Sequence, residues 1–172
     1  MPRLLLAAIA LGLAAPAAAQ LAQPANPQIN YKGFLKLAQE LEPVRETHRL
    51  PWASFKARAQ AEGALMLDAR SEWAYRQGHI RGAVNLPFSD FTDEALARVI
   101  GANPGRPIYI YCNNNFTDNA APVVTKRVDM ALNIPTFVNL HGYGYRNVWE
   151  LADLLSTGQL GADWVSGPGP QG

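Results

Sequence analysis

Cysteine is nearly absent from this chain of 172 residues: Cys112 is the only one. An intramolecular disulfide is therefore excluded, as is a thiol redox pair with a resolving cysteine in the same chain. Histidine is scarce too. His48, His79 and His141 show no spacing that pairs them as ligands, so no metal site is expected. Charge of one sign is also lacking, with 15 Lys and Arg against 14 Asp and Glu. No basic run or basic-aromatic interleaving points to nucleic acid. Beyond residue 19 no apolar run is long enough to span a bilayer. Gly142-Tyr143-Gly144 is half of a dinucleotide fingerprint, but Asn147 stands where the third glycine belongs. No cofactor is expected.

The chain divides by composition. In residues 1–19, Arg3 precedes the apolar stretch Leu4 to Ala15, and Ala17-Ala18-Ala19 offers a small-residue cleavage site. This reads as a signal peptide, and an exported protein, periplasmic or secreted, is the expectation. Residues 20–49 read as a linker and a short helix. Phe34, Leu37, Ala38 and Leu41 share a face, and Pro43 is expected to end it. About 150 residues follow the leader, enough for one domain with a sizeable core. The tail, 157–172, is rich in glycine and proline and is expected to be irregular, with Trp164 free to pack back.

Between these lies an alternation of helical and strand-like segments. Pro51 to Glu62 reads as a helix, Ala64 to Asp68 as a buried strand, and Ser71 as the cap of a short helix stopped by Gly78. Ala83 to Leu86 reads as a strand, and Asp93 to Ile100 as a helix. Thr136 to Leu140 is expected to be a strand, and Val148 to Leu155 a last helix. Strands alternating with helices indicate an α/β fold with a largely parallel sheet, helices on both faces. Ligands of such sheets bind beyond the carboxyl ends of the strands.

The organising stretch is Ile108 to Asp118. A buried strand, Ile108 to Tyr111, ends at Cys112, and polar residues follow. Thr117 or Asp118 then caps an expected helix, with Pro122 in its first turn. A thiol between loop amides and a helix N-terminus should ionise more easily than free cysteine. A buried structural cysteine is the plainer alternative.

Asp68-Ala69-Arg70, Glu72, and Gly78-His79-Ile80-Arg81-Gly82-Ala83-Val84-Asn85-Leu86-Pro87 resemble the first signature of the rhodanese-like (sulfurtransferase) family. The cysteine-terminated strand, and Leu140-His141-Gly142 with Trp149, follow in that family's order. The resemblance covers roughly residues 50–156. It implies the rhodanese-like fold, a persulfide carried on Cys112 as catalytic nucleophile, and an anion cradle from the amides of Asn113, Asn114, Asn115, Phe116 and Thr117. It implies structural roles for Asp68 and His79.

The loop departs from the family pattern. Asn115 and Thr117 occupy places usually held by glycine and a cation, and no residue from Asn113 to Asn119 is positive. Asp118 adds a negative charge where phosphatases sharing the fold carry arginine. The loop is thus poorly equipped for thiosulfate or a phosphoryl group. Arg70 or Arg146 could bring charge from outside the loop, with Tyr143 and Tyr145 walling the pocket. The functional expectation is a sulfurtransferase-type protein taking sulfur from a small donor and passing it to a thiol acceptor. The alternative is a catalytically inactive rhodanese-like module whose loop pocket binds a protein partner or ligand.

Overall fold

The computed structural model describes residues 26–61 and 63–168. Residues 1–19, expected to be a leader, and the first part of the expected linker lie outside the described residues. The chain divides into two units, residues 1–30 and 31–172. Of the first, residues 26–30 form a turn in which the Ile29 N–H bonds the Asn26 carbonyl at 3.1 Å.

The second unit begins with α1 (Tyr31–Thr47), β1 (Arg49–Leu50) and α2 (Trp52–Ala59). β2 (Leu65–Asp68), α3 (Glu72–Gln77), β3 (His79–Ile80), β4 (Val84–Asn85) and α4 (Asp93–Ile100) follow. The second half holds β5 (Ile108–Tyr111), α5 (Asn133–Gly142), β6 (Val148–Leu151), α6 (Thr157–Leu160) and β7 (Trp164–Val165). Five strands form a parallel sheet in the order β1-β6-β5-β2-β4. β3 and β7 make a separate antiparallel pair. The fold is α/β, as the alternation implied.

β5 is the middle strand, and every residue in it is buried. Successive side chains of a strand point to opposite faces, so a strand covered on both sides reads as a continuous apolar run. Ile108 and Ile110 pack with Leu67, Leu96, Phe137 and Leu140 on the face covered by α1, α4 and α5. Tyr109 and Tyr111 pack with Phe55, Met66, Tyr75 and Leu160 on the other. Phe55 and Phe137 are fully buried, and each such side chain contributes on the order of 1.5–3 kcal/mol by leaving water.

Local caps agree with the pattern. Ser71 accepts the Ala74 N–H at the start of α3, and Thr92 accepts that of Ala95 at the start of α4. Several expectations are overturned, each for an identifiable reason. α1 does not end before Pro43 but continues to Thr47. Pro43 is exposed, and the carbonyl that loses its partner belongs to Gln39, also exposed. Thr136 to Leu140 is helix, not strand. Parallel β5 and β6 cannot be joined by a tight turn, and α5 is their crossover. Val148 to Leu151 is accordingly a strand, paired with both β1 and β5.

No α-helix begins at Asp118. The residues from Phe116 to Leu132 carry an isolated bridge from Phe116 to Leu155 and a 3-10 turn at Val128–Met130. Asparagine side chains bond this segment's backbone in place of a helical ladder. The tail is ordered rather than irregular through Val165, with Trp164 paired opposite Ile80. No described helix is long and apolar enough to cross a membrane.

Candidate active site around Cys112

Cys112 follows β5 directly and enters a 3-10 turn, Asn113–Asn115. It is 1% exposed. The three asparagines after it are structural clamps. The Asn115 Oδ1 accepts the Cys112 N–H at 2.9 Å, and its Nδ2 donates to the Leu151 and Asp153 carbonyls at 2.8 and 3.1 Å. The loop is thereby tied to the end of β6. Asn114 brackets Lys126, donating to its carbonyl at 2.8 Å and accepting its N–H at 3.0 Å. Asn113 donates to the Val124 carbonyl at 2.9 Å. Together they draw residues 124–126 over the loop.

These bonds leave little of the expected cradle. The Asn115 N–H bonds the Cys112 carbonyl, that of Phe116 the Asn113 carbonyl, and that of Thr117 the Leu155 carbonyl. Three of the five amides are already engaged. The site does gain a helix N-terminus, from an unexpected source. α5 starts after the excursion, and the Asn133 and Leu132 peptide groups act on the Cys112 thiol along with that of Asn114. All three pull its pKa down. Burial, the largest influence, and the charge of Glu150 push it up, and the net direction is upward. The easily ionised thiol expected from the sequence is corrected accordingly.

Glu150 belongs to a polar chain that sequence reasoning missed. Its side chain is buried and the carboxylate is held by Arg45 of α1, with Nε to Oε2 at 2.7 Å and Nη2 to Oε1 at 2.6 Å. The Asn133 Nδ2 donates both to Glu150 Oε1 at 3.2 Å and to Asn115 Oδ1 at 3.1 Å. Arg45 thus connects through Glu150, Asn133 and Asn115 to the Cys112 backbone. Leu37, Leu41 and Val44 continue one helical face past Pro43, and that periodicity was the available signal for Arg45.

Arg70 reaches the edge of the site. It is 2% exposed and donates to Asp68 at 3.0, 3.1 and 2.6 Å and to the Gly78 carbonyl at 2.7 Å. Desolvation opposes its charge, but the Asp68 carboxylate outweighs it and raises the guanidinium pKa. With Asn113, Lys126 and Leu132 it lines a cleft of about 240 Å³ beside the loop.

The structure does not bring Arg146 to Cys112. The Arg146 N–H bonds the Pro104 carbonyl before the start of β5, at the amino end of the sheet. The four residues of β5 separate the two ends, roughly 13 Å at strand rise. Tyr143 and Tyr145 do not wall the pocket: their hydroxyls donate to the Phe91 and Gly101 carbonyls, each at 3.1 Å. Asp118 is turned away to the start of α6, accepting from Thr157 N and Oγ1 at 2.8 and 2.9 Å. The Thr157 amide is the chief cause of its lowered pKa.

The profile of the rhodanese-like domain family matches residues 52–153, and the chain belongs to that family. Among solved structures it is similar to the Alr3790 protein from Anabaena sp., at 19% identity over 69% of this chain and 92% of that one, TM-score 0.48. It is also similar to the rhodanese-like domain of the same Anabaena sp. protein in solution, at 23% identity, 69% and 79% coverage, TM-score 0.47. BH2092 protein from Bacillus halodurans matches at 22% identity, 68% and 74% coverage, TM-score 0.41. No curated protein matches the chain.

Proposed function

We propose that this protein is a sulfurtransferase-type sulfur carrier with Cys112 as its nucleophile. The observation that carries this reading is the thiol's position. It lies at the carboxyl end of the central strand, and the Asn114, Leu132 and Asn133 peptide groups favour its anionic form. In the step proposed, the Cys112 thiolate attacks the outer sulfur of a persulfide or polysulfide donor. The donor S–S bond breaks as the new one forms, and the donor thiolate leaves with the electron pair. A thiol acceptor then attacks the outer sulfur and releases the Cys112 thiolate, with no net oxidation.

The donor class follows from charge. No cation stands in the loop, three of its amides are engaged, and Glu150 acts on the thiol. A donor of low charge suits this site better than the thiosulfate dianion. The leader-like residues 1–19 support export, so the compartment proposed is periplasmic or extracellular.

One observation favours a second reading, a catalytically inactive module that binds a partner: the thiol is 1% exposed with a raised pKa. A transfer assay to a small thiol acceptor separates the two. An organic persulfide donor should be turned over, thiosulfate much more slowly, and Cys112→Ser should be inactive with both. No transfer with any donor would favour the binding module.

A further inference from the structure

The family match begins at residue 52, yet a cation linked by hydrogen bonds to the Cys112 backbone lies before it, on α1. Arg45 makes a two-pronged contact with a carboxylate that is almost fully buried. Such a carboxylate left alone would be costly and would repel any negative charge nearby. Paired, it adds little net charge to the interior. Asn133 then links the pair to Asn115, whose Oδ1 holds the Cys112 N–H. The loop has no cation of its own.

We propose that Arg45 is a positioning residue of the Cys112 site. By gripping both oxygens of Glu150 it offsets the carboxylate's charge beside the sulfur and fixes the amide relay to the loop, so that the sulfur can carry negative charge. The charged groups concerned are Glu150 from β6 and Arg45 from α1, with Glu46 acting on Arg45 from its own helix; beside the loop stand Arg70, paired with Asp68, and Lys126. Burial opposes the Arg45 charge, but the Glu150 carboxylate outweighs it, and Cys112 itself acts on the guanidinium in the same sense. α1 is then part of the site rather than an appendage to the domain.

The consequence for catalysis rests on Cys112 being the sulfur-carrying thiol; the test does not. Thiolate absorbance is titrated in the full chain, with the Cys112→Ser counterpart subtracted to remove tyrosine. A single cysteine makes the difference signal unambiguous. Arg45→Gln should raise the midpoint by about one pH unit, about a tenfold loss of thiolate below it. Arg45→Lys should recover part of the shift. The double variant Arg45→Gln with Glu150→Gln should return to within about threefold of the starting thiolate fraction. If Arg45→Gln does not fold, Glu150→Gln alone is read, and it should lower the midpoint. A folded Arg45→Gln with an unchanged midpoint, a double variant that stays shifted, or an unmoved Glu150→Gln would each overturn the proposal. A normal shift in a protein that accepts no sulfur would leave Arg45's role standing and remove sulfur carriage alone.

Discussion

The Tyr111 hydroxyl donates to Asp68 Oδ2 at 2.6 Å between β5 and β2, at positions that pair directly in the sheet. The same hydroxyl accepts the Ile80 N–H at 3.0 Å, and Asp68 also holds the Arg70 side chain. Both members of the Asp68–Arg70 ion pair are buried. Removing one charge of such a pair leaves the other without compensation. Asp68→Asn should therefore cost about 3–5 kcal/mol in urea unfolding. Tyr111→Phe, which leaves the buried Ile80 N–H without its acceptor while Asp68 Oδ2 keeps Arg70, should cost about 1–3 kcal/mol. An Asp68→Asn protein as stable as the parent would contradict this.

Asn115 is held by its side chain from four directions: it accepts from Cys112 and Asn133 and donates to Leu151 and Asp153. Asn115→Ala should cost on the order of 2–3 kcal/mol, measured by the same unfolding transition. Asn115→Asp should be worse, because a carboxylate would face two carbonyls and add charge near Glu150. Asp equalling or exceeding the parent in stability would show that the two carbonyls are not held as described.

Gly78 has a packing reason to be glycine. A Cβ there would lie 2.5 Å from Trp164 Cζ2 and 2.7 Å from its Cε2 and Nε1. Its backbone is extended, with φ 177°, so conformation does not demand glycine. Gly78→Ala should cost about 1–3 kcal/mol through overpacking. In a Trp164→Ala background the same change should cost much less. Equal costs in the two backgrounds would exclude the clash as the cause.

Three buried groups, His79, His141 and Cys112, bring a pH dependence of stability close to neutrality. Burial is the main cause of the lowered pKa of His79 and His141. Unfolded histidine takes up its proton near about pH 6.5, where these two resist it. Their contribution to stability is therefore present above that value and lost as pH falls through the folded values. Cys112 shifts the other way, raised chiefly by burial. Its contribution is present below the unfolded value of about 8.5 and lost as pH rises through the folded one. Urea midpoints should fall on both sides of neutrality. Cys112→Ser should flatten the alkaline side alone, and an unchanged alkaline side would refute the assignment.

Much of the fold was legible because β5 and β2 are buried on both faces, with β5 an unbroken apolar and aromatic run and β2 one up to its final Asp68. Ser71 marked the start of α3 in the ordinary way, and the structure adds Thr92 as the cap of α4. The errors cluster after Cys112, where long-range bonds override local preference. Asp118 looks like a helix cap, but its carboxylate is engaged by Thr157, 39 residues away in sequence. Thr136 to Leu140 is rich in strand-forming residues, yet it lies in α5, the helix of the long crossover that joins parallel β5 and β6. At the candidate site, the place of Cys112 at the strand end could be read from the sequence, whereas Arg70 is spent on Asp68 and the Gly78 carbonyl. Glu150 and Asn133 could not be read there, because their roles arise from the pairing of β6 and the return of α5 to the loop.

The most direct measurement is the intact mass of the reduced protein after exposure to an organic persulfide, a polysulfide and thiosulfate, with Cys112→Ser alongside. Sulfur carriage predicts a gain of one sulfur atom from the first two donors, reversed by excess thiol and absent from the variant. A folded protein with its thiol intact that gains no sulfur from any of the three would contradict it.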